Sequence, residues 1–330
     1  PTIFKKEAMK KERFRYKVLH IGGLHKKKNS EVWGGTVATS KYLWLAFKND
    51  LEFDVTFVDR RDLRNKSGWD LAKIGKITKG YHIIHLDDSG LCNFLYENGF
   101  RVDVIGPICR APSTVKKYSN GWEAKYSEEW FYSGEVMRLN ISEEKNSKFI
   151  DKISFVDHGV PTRSALLIPD FSAKKKYILW AGDKKRHAKN FDMMREIMKI
   201  TKLPKGFEFK VLSGYNAEDY WALLDEAAIL INTSRWESFC CAMFEAKTKA
   251  VPVIYKKNLH SGRFLDNRIQ VEYTAEAYKS SLLGLLNDKE LLKSESELSR
   301  QYVLDHATLQ HMRDSWVRVY RKVIKKKYEV

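Results

Sequence analysis

Two glutamates, Glu237 and Glu245, lie eight positions apart, directly after the apolar run 227–232. If residues 239–250 form a helix, eight residues advance about 12 Å and return to within about 80° of the starting azimuth, so both carboxylates lie on one side. Free backbone amides near residues 238–241 would bind an anion such as a diphosphate. A ligand with a central diphosphate and hydroxyls at both ends, such as a nucleotide sugar, would use all three features. The simpler alternative is that an acid at a helix start complements the helix dipole.

The elements that would position these acids follow a βαβ pattern, since apolar β-branched runs alternate with helical patterns in both halves of the chain. The predicted strands are 16–23, 53–59, 81–86, 101–106, 152–161, 176–182, 207–214, 228–234 and 251–255. The predicted helices are 40–49, 68–78, 190–200, 217–227, 239–250 and one or two long helices over 296–327. We interpret residues 111–150 as loop plus helix. The alternation predicts an α/β protein with parallel sheets covered by helices on both faces.

The chain divides most naturally at residues 162–176, which lack clear periodicity and contain Pro169. We predict a first domain over residues 1–165, a second over 166–310 and a separate C-terminal helix over 311–330. Both domains are expected to be Rossmann-like and doubly wound. Two such domains facing across a cleft would place the binding site at the carboxyl ends of both sheets.

Charge is the strongest signal in the composition, because 59 Lys and Arg against 42 Asp and Glu give a net charge of +17. Residues 1–30 hold ten Lys or Arg against Glu7 and Glu12, a net +8, and the C-terminal stretch 317–330 is also basic. Such runs are usually solvated faces, but two of them in a strongly basic chain favour a polyanionic partner, either nucleic acid or an anionic membrane surface.

The rest of the composition excludes several classes of protein. Hydrophobic residues make up 43% of the chain, which excludes disorder, and no apolar run is long enough to cross a bilayer. The four cysteines form no CxxC pair, and no His cluster has metal-ligand spacing, so neither a disulfide framework nor a metal site is predicted. The first residues lack the apolar core of a signal peptide. We expect a reducing compartment, the cytoplasm, or the host cytoplasm for a viral protein, with peripheral attachment to a membrane as an alternative.

Four segments carry a resemblance to a known family. The stretch 234–254 resembles the E-x7-E region of retaining GT-B glycosyltransferases of the family 4 type. Residues 155–162 resemble the turn that closes the first domain of that family, 178–194 its Gly-Arg-Leu...Lys segment, and 31–40 its Gly-Gly loop. The resemblance covers roughly residues 20 to 320. It implies a GT-B fold whose last helix crosses back toward the first domain.

The resemblance also implies roles for individual residues. Glu245 would hold the ribose hydroxyls of the donor, Glu237 would contact the transferred sugar, and Lys189 would neutralise the diphosphate. The other implied donor contacts are Ser238, Phe239, Cys240, Gly34, Gly35, Thr36, Ser213 and Gly214. The implied chemistry is retaining transfer from a nucleotide-diphosphate sugar, usually a UDP-sugar, with neither a cofactor nor a metal.

Several residues depart from the family pattern. Asp183 occupies the position of the usual arginine, and Arg186, Lys185 or Lys184 could supply the missing cation. Arg186 is our preferred replacement because a guanidinium can bind phosphate bidentately. Cys240 stands where a glycine is expected and would crowd the diphosphate. His158 and Pro161 replace the Asn and Asp of the turn.

Candidates for the acceptor side lie at the ends of first-domain strands. His85, Asp87 and Asp88 could hold the acceptor hydroxyl or the transferred sugar, and Arg110 could meet a phosphate. His158 is the remaining acceptor-side candidate. The alternatives are a core position for His85, helix capping for the two aspartates and a surface salt bridge for Arg110.

Three functions compete. The first is transfer to a hydroxymethylated base in DNA, as certain phage DNA glucosyltransferases do; the net charge favours it slightly, although glutamates between residues 121 and 135 oppose DNA binding. The second is transfer to a membrane lipid or envelope glycan. The third is a non-catalytic nucleotide-sugar-binding module. The oligomeric state is not predicted.

The membrane alternative has a specific candidate in residues 68–80. In that interpretation Trp69 and Leu71 would insert into the bilayer, with Lys73, Lys76 and Lys79 facing outward. An ordinary crossover helix is the simpler interpretation of this segment.

Overall fold

The computed structural model describes residues 15–23, 35–66, 68–87, 91, 94–95, 97–108, 129–132, 153–162, 176–237, 239–257, 259 and 269–328. Within these residues the chain forms two parallel sheets and a two-stranded antiparallel hairpin. The α/β class predicted from the alternation of strands and helices is therefore confirmed.

The first sheet has the strand order β2-β1-β5-β6-β7-β8, with all pairs parallel. Its strands are β1 (Tyr16–Gly22), β2 (Phe53–Asp59), β5 (Ile83–Leu86), β6 (Val104–Ile108), β7 (Glu129–Tyr132) and β8 (Ile153–Phe155). Its helices are α1 (Gly35–Phe47) and α2 (Leu71–Thr78), and the hairpin strands are β3 (Arg64–Asn65) and β4 (Gly68–Trp69).

The second sheet has the order β10-β9-β11-β12-β13 and is also parallel. Its strands are β9 (Tyr177–Ala181), β10 (Glu208–Leu212), β11 (Ala227–Asn232), β12 (Val253–Lys256) and β13 (Gln270–Val271). The helices are α3 (Phe191–Ile200), α4 (Ala217–Glu226), α5 (Cys241–Thr248), α6 (Ala275–Asn287), α7 (Lys289–His306) and α8 (Leu309–Tyr328). All six residues of β11 are buried, which explains its continuous apolar run.

Several elements differ from the sequence prediction, among them α6 and β13, which were not predicted. The crossover helix predicted from residue 68 begins at Leu71, because Gly68 and Trp69 pair in the hairpin and the Asp70 carboxylate accepts a hydrogen bond from the Lys73 amide as the N-cap. The first helix begins at Gly35, five residues earlier than predicted. Residues 129–132, within the region interpreted as loop plus helix, form β7.

The C-terminal helix α8 packs against elements of the first sheet. The Tyr320 ring lies 5.6 Å from the Phe47 ring and 5.3 Å from the Phe53 ring, measured between centroids. The Arg313 guanidinium donates to a buried Asp50 carboxylate oxygen at 2.5 Å. The boundary predicted at 165/166 lies outside the described residues, so the domain limits stay a prediction.

Gly159 lies where the start of α8 meets the turn that follows β8. A Cβ atom at this position would lie 2.2 Å from the Thr308 carbonyl oxygen, and Val160 forms a β-bridge with Thr308. The close approach of the two backbones requires glycine here.

Candidate active site

The central feature of the site is an ion pair between Lys189 and Glu237 at the carboxyl end of the second sheet. Glu237 lies in the loop between β11 and α5, and Lys189 lies in a 3₁₀ turn between β9 and α3. The Ser234 hydroxyl donates to the same carboxylate oxygen at 2.6 Å. The side chains of Lys189 and Glu237 are 20% and 12% exposed, so solvent reaches the pair only in part.

Both members of the pair are held in their charged forms. Burial alone raises the pKa of Glu237, but the charge of Lys189 and the hydrogen bonds from Lys189 and Ser234 outweigh it, so this pKa lies below its ordinary value. Burial alone lowers the pKa of Lys189, and the attraction of Glu237 reverses that shift, so its pKa lies above the ordinary value. A cation and an anion are therefore both available near neutral pH.

Buried hydrogen bonds fix the two loops that carry this pair. The Trp180 indole donates to the Thr233 hydroxyl at 2.9 Å, and that hydroxyl donates to the Lys189 carbonyl at 2.9 Å. The Arg235 amide donates to the Ala188 carbonyl at 2.8 Å. The loops after β9 and β11 are thus held together directly behind the ion pair.

The N-terminus of α5 lies beside Glu237. Cys240 precedes the first residue of this helix and has a left-handed backbone, with φ of 60°. That conformation favours glycine and accounts for the glycine that the family pattern places here. Burial, followed by the charge of Glu237, raises the pKa of the Cys240 thiol to about 12, so the side chain is neutral. Ser238, a predicted donor contact, lies outside the described residues.

Phe239 does not face an open cleft. Its ring stacks on the Phe244 ring at 4.2 Å and on the His158 ring at 4.6 Å. All three side chains are buried, and burial lowers the pKa of His158 to about 4. This neutral ring therefore packs against Phe239, and contact of His158 with an acceptor stays a prediction.

Glu245 is buried and hydrogen-bonded across the two domains. Its carboxylate accepts a hydrogen bond from the Tyr42 hydroxyl on α1. Burial, then the charge and hydrogen bond of Glu245, raises the pKa of Tyr42, so the hydroxyl stays protonated and donates. A contact between Thr39 and Cys241 at 3.6 Å lies on the same two helices. The position expected to hold a donor ribose is therefore occupied by a side chain of the first domain.

His85 lies in the core, as the alternative interpretation of this residue has it, and its role at a ligand stays a prediction. Its ring is buried and packs on His20 at 4.4 Å and on Trp316 at 4.5 Å, and its Nδ1 lies 2.8 Å from the Tyr320 hydroxyl. Docking of α8 places Trp316 and Tyr320 over His85, and His20 belongs to the neighbouring strand β1. Burial, then the charge of His85, lowers the pKa of His20.

Asp87 lies at the carboxyl end of the first sheet and ties β1 to α1. Its Oδ2 accepts hydrogen bonds from the Gly23 amide at 3.0 Å and the Ser40 hydroxyl at 3.1 Å. A Cβ atom on Gly22 would lie 2.5 Å from the same oxygen. Gly35 and Thr36 form the start of α1 in the same part of the fold, whereas Gly34, Asp88 and Arg110 lie outside the described residues.

The remaining predicted donor residues line the end of β9 and β10. Arg186 is exposed, and its charge acts on Lys189. The Ser213 hydroxyl accepts from the Lys184 amide at 3.2 Å, and Gly214 has a left-handed φ of 70°. Asp183 accepts from the Lys185 amide at 2.9 Å, so it orders its own loop.

Two residues of the site were missed by the sequence analysis. Ser234 lies three residues before Glu237, a spacing at which a hydroxyl can reach the carboxylate, so a local signal existed. Tyr42 had no local signal, because its partner Glu245 lies 203 residues away in the chain.

Among the described residues no group of His, Cys, Asp and Glu has the arrangement of a metal site. The helices of the described ranges include none that is both long enough and apolar enough to cross a membrane.

The fold is shared with known glycosyltransferases of the GT-B type. A glycosyltransferase from Rickettsia africae superposes with a TM-score of 0.68 at 16% identity, covering 95% of this chain and 100% of that one. The sucrose-phosphate synthase from Thermosynechococcus elongatus gives 0.73 at 12% identity, with the same coverage. An alpha-glucosyltransferase solved with UDP and a 13-mer DNA containing an HMU base gives 0.63 at 12% identity, covering 94% and 100%.

These comparisons establish the fold. The GT-B architecture predicted from the sequence, two Rossmann-like domains facing across a cleft, is confirmed by the structural neighbours and the two parallel sheets. No protein-family model and no curated protein matches the sequence.

Proposed function

We propose that this chain is a retaining glycosyltransferase that moves a sugar from a nucleotide-diphosphate sugar, with UDP-sugars favoured, to an acceptor hydroxyl. The observation that carries the proposal is the Lys189–Glu237 ion pair beside the start of α5, at the carboxyl edge of a sheet in a GT-B fold. It combines a fixed cation, a fixed anion and a helix N-terminus at the position where a ligand meets such a sheet.

In the proposed reaction, the bond between the sugar C1 and the donor phosphate oxygen breaks while the acceptor oxygen attacks the same face of C1. The acceptor proton passes to that phosphate oxygen, so the products are a glycoside and a nucleoside diphosphate. Lys189 and Arg186 stabilise the charge that gathers on the leaving diphosphate, together with the amides at residues 239–241. Glu237 accepts hydrogen bonds from sugar hydroxyls. This scheme draws all its charge stabilisation from protein groups and requires no metal or cofactor.

Donor binding at Glu245 would change the contacts of this carboxylate. A ribose would compete with the Tyr42 hydroxyl for the carboxylate oxygen that it contacts. We propose that the donor ribose replaces the Tyr42 hydroxyl on this carboxylate. Hydrogen bonds from the ribose hydroxyls would then take the place of the one from Tyr42.

Asp87 would act in positioning rather than in catalysis. Its carboxylate holds the end of β1 to α1 through Gly23 and Ser40, so it fixes the position of α1 relative to β1. Gly35 and Thr36 would then approach the phosphates from the first domain at the N-terminus of α1.

For the acceptor, we favour a hydroxymethylated base in DNA. Five cations, Arg64, Lys66, Lys73, Lys76 and Lys79, are exposed on the segment between β2 and β5. None of them forms an ion pair with a described carboxylate, so they would contribute to phosphate binding.

The membrane alternative is weakened by the position of Trp69. Its ring lies under the Arg64 guanidinium, 4.2 Å from the ring centroid, and 5.9 Å from the Phe94 ring. Trp69 therefore packs within the protein. Of the two residues expected to insert into a membrane, this leaves Leu71, whose side chain is 40% exposed. One leucine is a weak anchor. A glycan acceptor and a binding module without catalysis stay as alternatives.

Location in the cytoplasm fits the buried free thiol of Cys240. We propose this location together with the DNA acceptor.

Mass spectrometry of nucleosides tests the proposal. The protein is incubated with UDP-, GDP- and ADP-sugars and DNA that contains hydroxymethylcytosine or hydroxymethyluracil. A hexose or pentose mass added by the wild type and by Glu272→Gln, but not by Glu237→Gln, is expected. Glu272 is a matched control because its carboxylate pairs with Lys257 on the surface. Donor consumption with unchanged nucleosides would move the acceptor to a lipid or glycan, and no donor consumption at all would favour the binding module.

A further inference from the structure

Arg235 and Lys256 form a second cationic pair at the carboxyl edge of the second sheet. Arg235 lies in the loop after β11, two residues before Glu237, and Lys256 is the last residue of the neighbouring strand β12. Both side chains are half-buried. Both side chains lie beside the hydrogen-bonded pair of Asn190 and Tyr273, and burial, followed by repulsion from the Arg235 guanidinium, lowers the pKa of Lys256.

Polar and aromatic groups hold the pair in place. An Arg235 Nη donates to the Asn190 side-chain oxygen at 3.2 Å, and the Asn190 amide nitrogen donates to the Tyr273 hydroxyl at 2.5 Å. The Lys256 ammonium lies 5.1 Å from the centroid of the Tyr273 ring. The Tyr273 hydroxyl in turn donates to the Thr233 carbonyl at 2.8 Å.

The pair lacks a counterion among the described residues. No described carboxylate forms an ion pair with Arg235 or Lys256, and the Arg235 Nε is buried without a hydrogen-bond acceptor. Two partly buried like charges and an unsatisfied buried donor are costly to maintain in a folded protein. An oxyanion bound between them would supply both the missing charge and the missing acceptor.

This pair has contacts of its own, separate from those of the proposed diphosphate site. The Lys189 ammonium pairs with Glu237, whereas the Arg235 guanidinium donates to Asn190 and the Lys256 ammonium lies over the Tyr273 ring. The molecule therefore presents two cationic centres on one edge of the sheet. The donor diphosphate accounts for one of them.

We propose that Arg235 and Lys256 form a second anion subsite, which binds a phosphate group of the acceptor next to the hydroxyl that receives the sugar. A guanidinium and an ammonium together match the charge of a phosphate, and a guanidinium suits its oxygen geometry. The assignment to the acceptor rests on the proposed function, whereas the existence of the anion subsite does not.

Calorimetric titration with inorganic phosphate tests the subsite, in the presence and absence of saturating UDP. The wild type is expected to bind phosphate while UDP is bound. Arg235→Gln and Lys256→Gln should each raise the Kd for phosphate at least about tenfold, the loss of one charge-assisted contact. Lys257→Gln is the matched control, because Lys257 is the adjacent exposed lysine, is paired with Glu272 at 2.7 Å, and should leave the Kd within about twofold.

Thermal unfolding separates loss of binding from loss of fold. Removal of one of two repelling cations should leave the Tm of Lys256→Gln equal to or above that of the wild type. If Arg235→Gln fails to fold, Arg235→Lys keeps the charge but removes the Nε donor and should bind phosphate with intermediate affinity. Absence of phosphate binding to UDP-bound wild type, or an unchanged Kd in both charge-removing variants, would overturn the subsite.

Two further measurements identify whether the bound anion belongs to the acceptor or to the donor. They also test the subsite and the proposed function independently. The first uses a hydroxymethylated DNA duplex with a neutral methylphosphonate beside the modified base. On this duplex the wild type and Lys256→Gln should transfer sugar at the same rate. An effect of Lys256→Gln confined to UDP-glucuronic acid, and absent with UDP-glucose, would overturn the assignment to the acceptor. If phosphate binding depends on Arg235 and Lys256 but the donor is not consumed, the subsite is retained and the proposed function is rejected. If the donor is consumed but phosphate does not bind in this way, the proposed function is retained and the subsite is rejected.

Discussion

Removal of Lys189 should make the stability of this protein depend on pH in a specific way. In the wild type Lys189 holds the pKa of Glu237 below its ordinary value, against the opposing effect of burial. In Lys189→Gln burial is no longer opposed by a charge, so the pKa of Glu237 rises above that of the unfolded chain. The buried carboxylate then costs free energy whenever it is ionised.

The magnitude follows from the exposure of the pair. Removing one partner of a fully buried ion pair costs about 3 to 5 kcal/mol. Here the Lys189 and Glu237 side chains are 20% and 12% exposed to solvent, and the Ser234 hydroxyl donates to the Glu237 carboxylate at 2.6 Å. We therefore expect a loss of about 2 kcal/mol in the free energy of unfolding at pH 7.

The sign of the pH dependence is opposite in the two proteins. In the wild type the depressed pKa of Glu237 gives stability that is present above the unfolded pKa and lost as pH falls through the folded pKa. In the variant the raised pKa gives stability that is present at low pH and lost as pH rises through the unfolded pKa. The difference between the proteins should shrink to below about 1 kcal/mol at pH 4.

Urea unfolding followed by intrinsic fluorescence at pH 4, 5, 6 and 7 measures this difference. Lys249→Gln is the matched control, because Lys249 is also 20% exposed but its partner Asp225 is 59% exposed. That control should cost below about 1 kcal/mol with little dependence on pH. A cost for Lys189→Gln no larger than that of the control at pH 7, or a cost that does not change with pH, would refute the reasoning.

Three other substitutions test the rest of the site. Tyr42→Phe should lower the free energy of unfolding by about 1 to 3 kcal/mol, because the buried Glu245 carboxylate loses a donor. The same substitution should tighten UDP binding in calorimetry if the ribose competes for that carboxylate, and weaker UDP binding would contradict the competition. His158→Phe should keep the stack on Phe239. In the wild type the folded pKa of His158 is about 4, so acidification from pH 6.5 to 4 should lower the free energy of unfolding by about 3 kcal/mol through this residue, and the variant should lack that loss. Acid unfolding curves identical to those of the wild type would exclude this. Cys240→Gly should change the free energy of unfolding by less than about 1 kcal/mol, because glycine removes the strain of the left-handed backbone and this offsets the lost side-chain contacts. The substitution should also tighten UDP binding, since it removes a side chain from the start of the helix. A loss above about 2 kcal/mol would show that the packing of the thiol dominates.

The two-sheet architecture was predictable because parallel strands buried on both faces appear as continuous apolar runs. The six buried residues of β11 are such a run, and the helices between the strands show their own periodicity. The strand β7 was missed, because four residues rich in aromatics within a charged region carry no distinct pattern. Strand and helix ends were displaced where caps and the Arg64–Trp69 hairpin decided them.

The sequence by itself determined the fold class, the order of the elements and the placement of Glu237 beside the start of a helix, because these depend on periodicity and spacing within a few residues. Only the tertiary structure decided which side chains are free to act. The hydrogen bond from Tyr42 to Glu245 joins residues 203 positions apart, and the burial of His85 depends on Tyr320, 235 positions away. Both contacts arise from the docking of one packed element on another, and no local pattern of residue types records how distant surfaces meet.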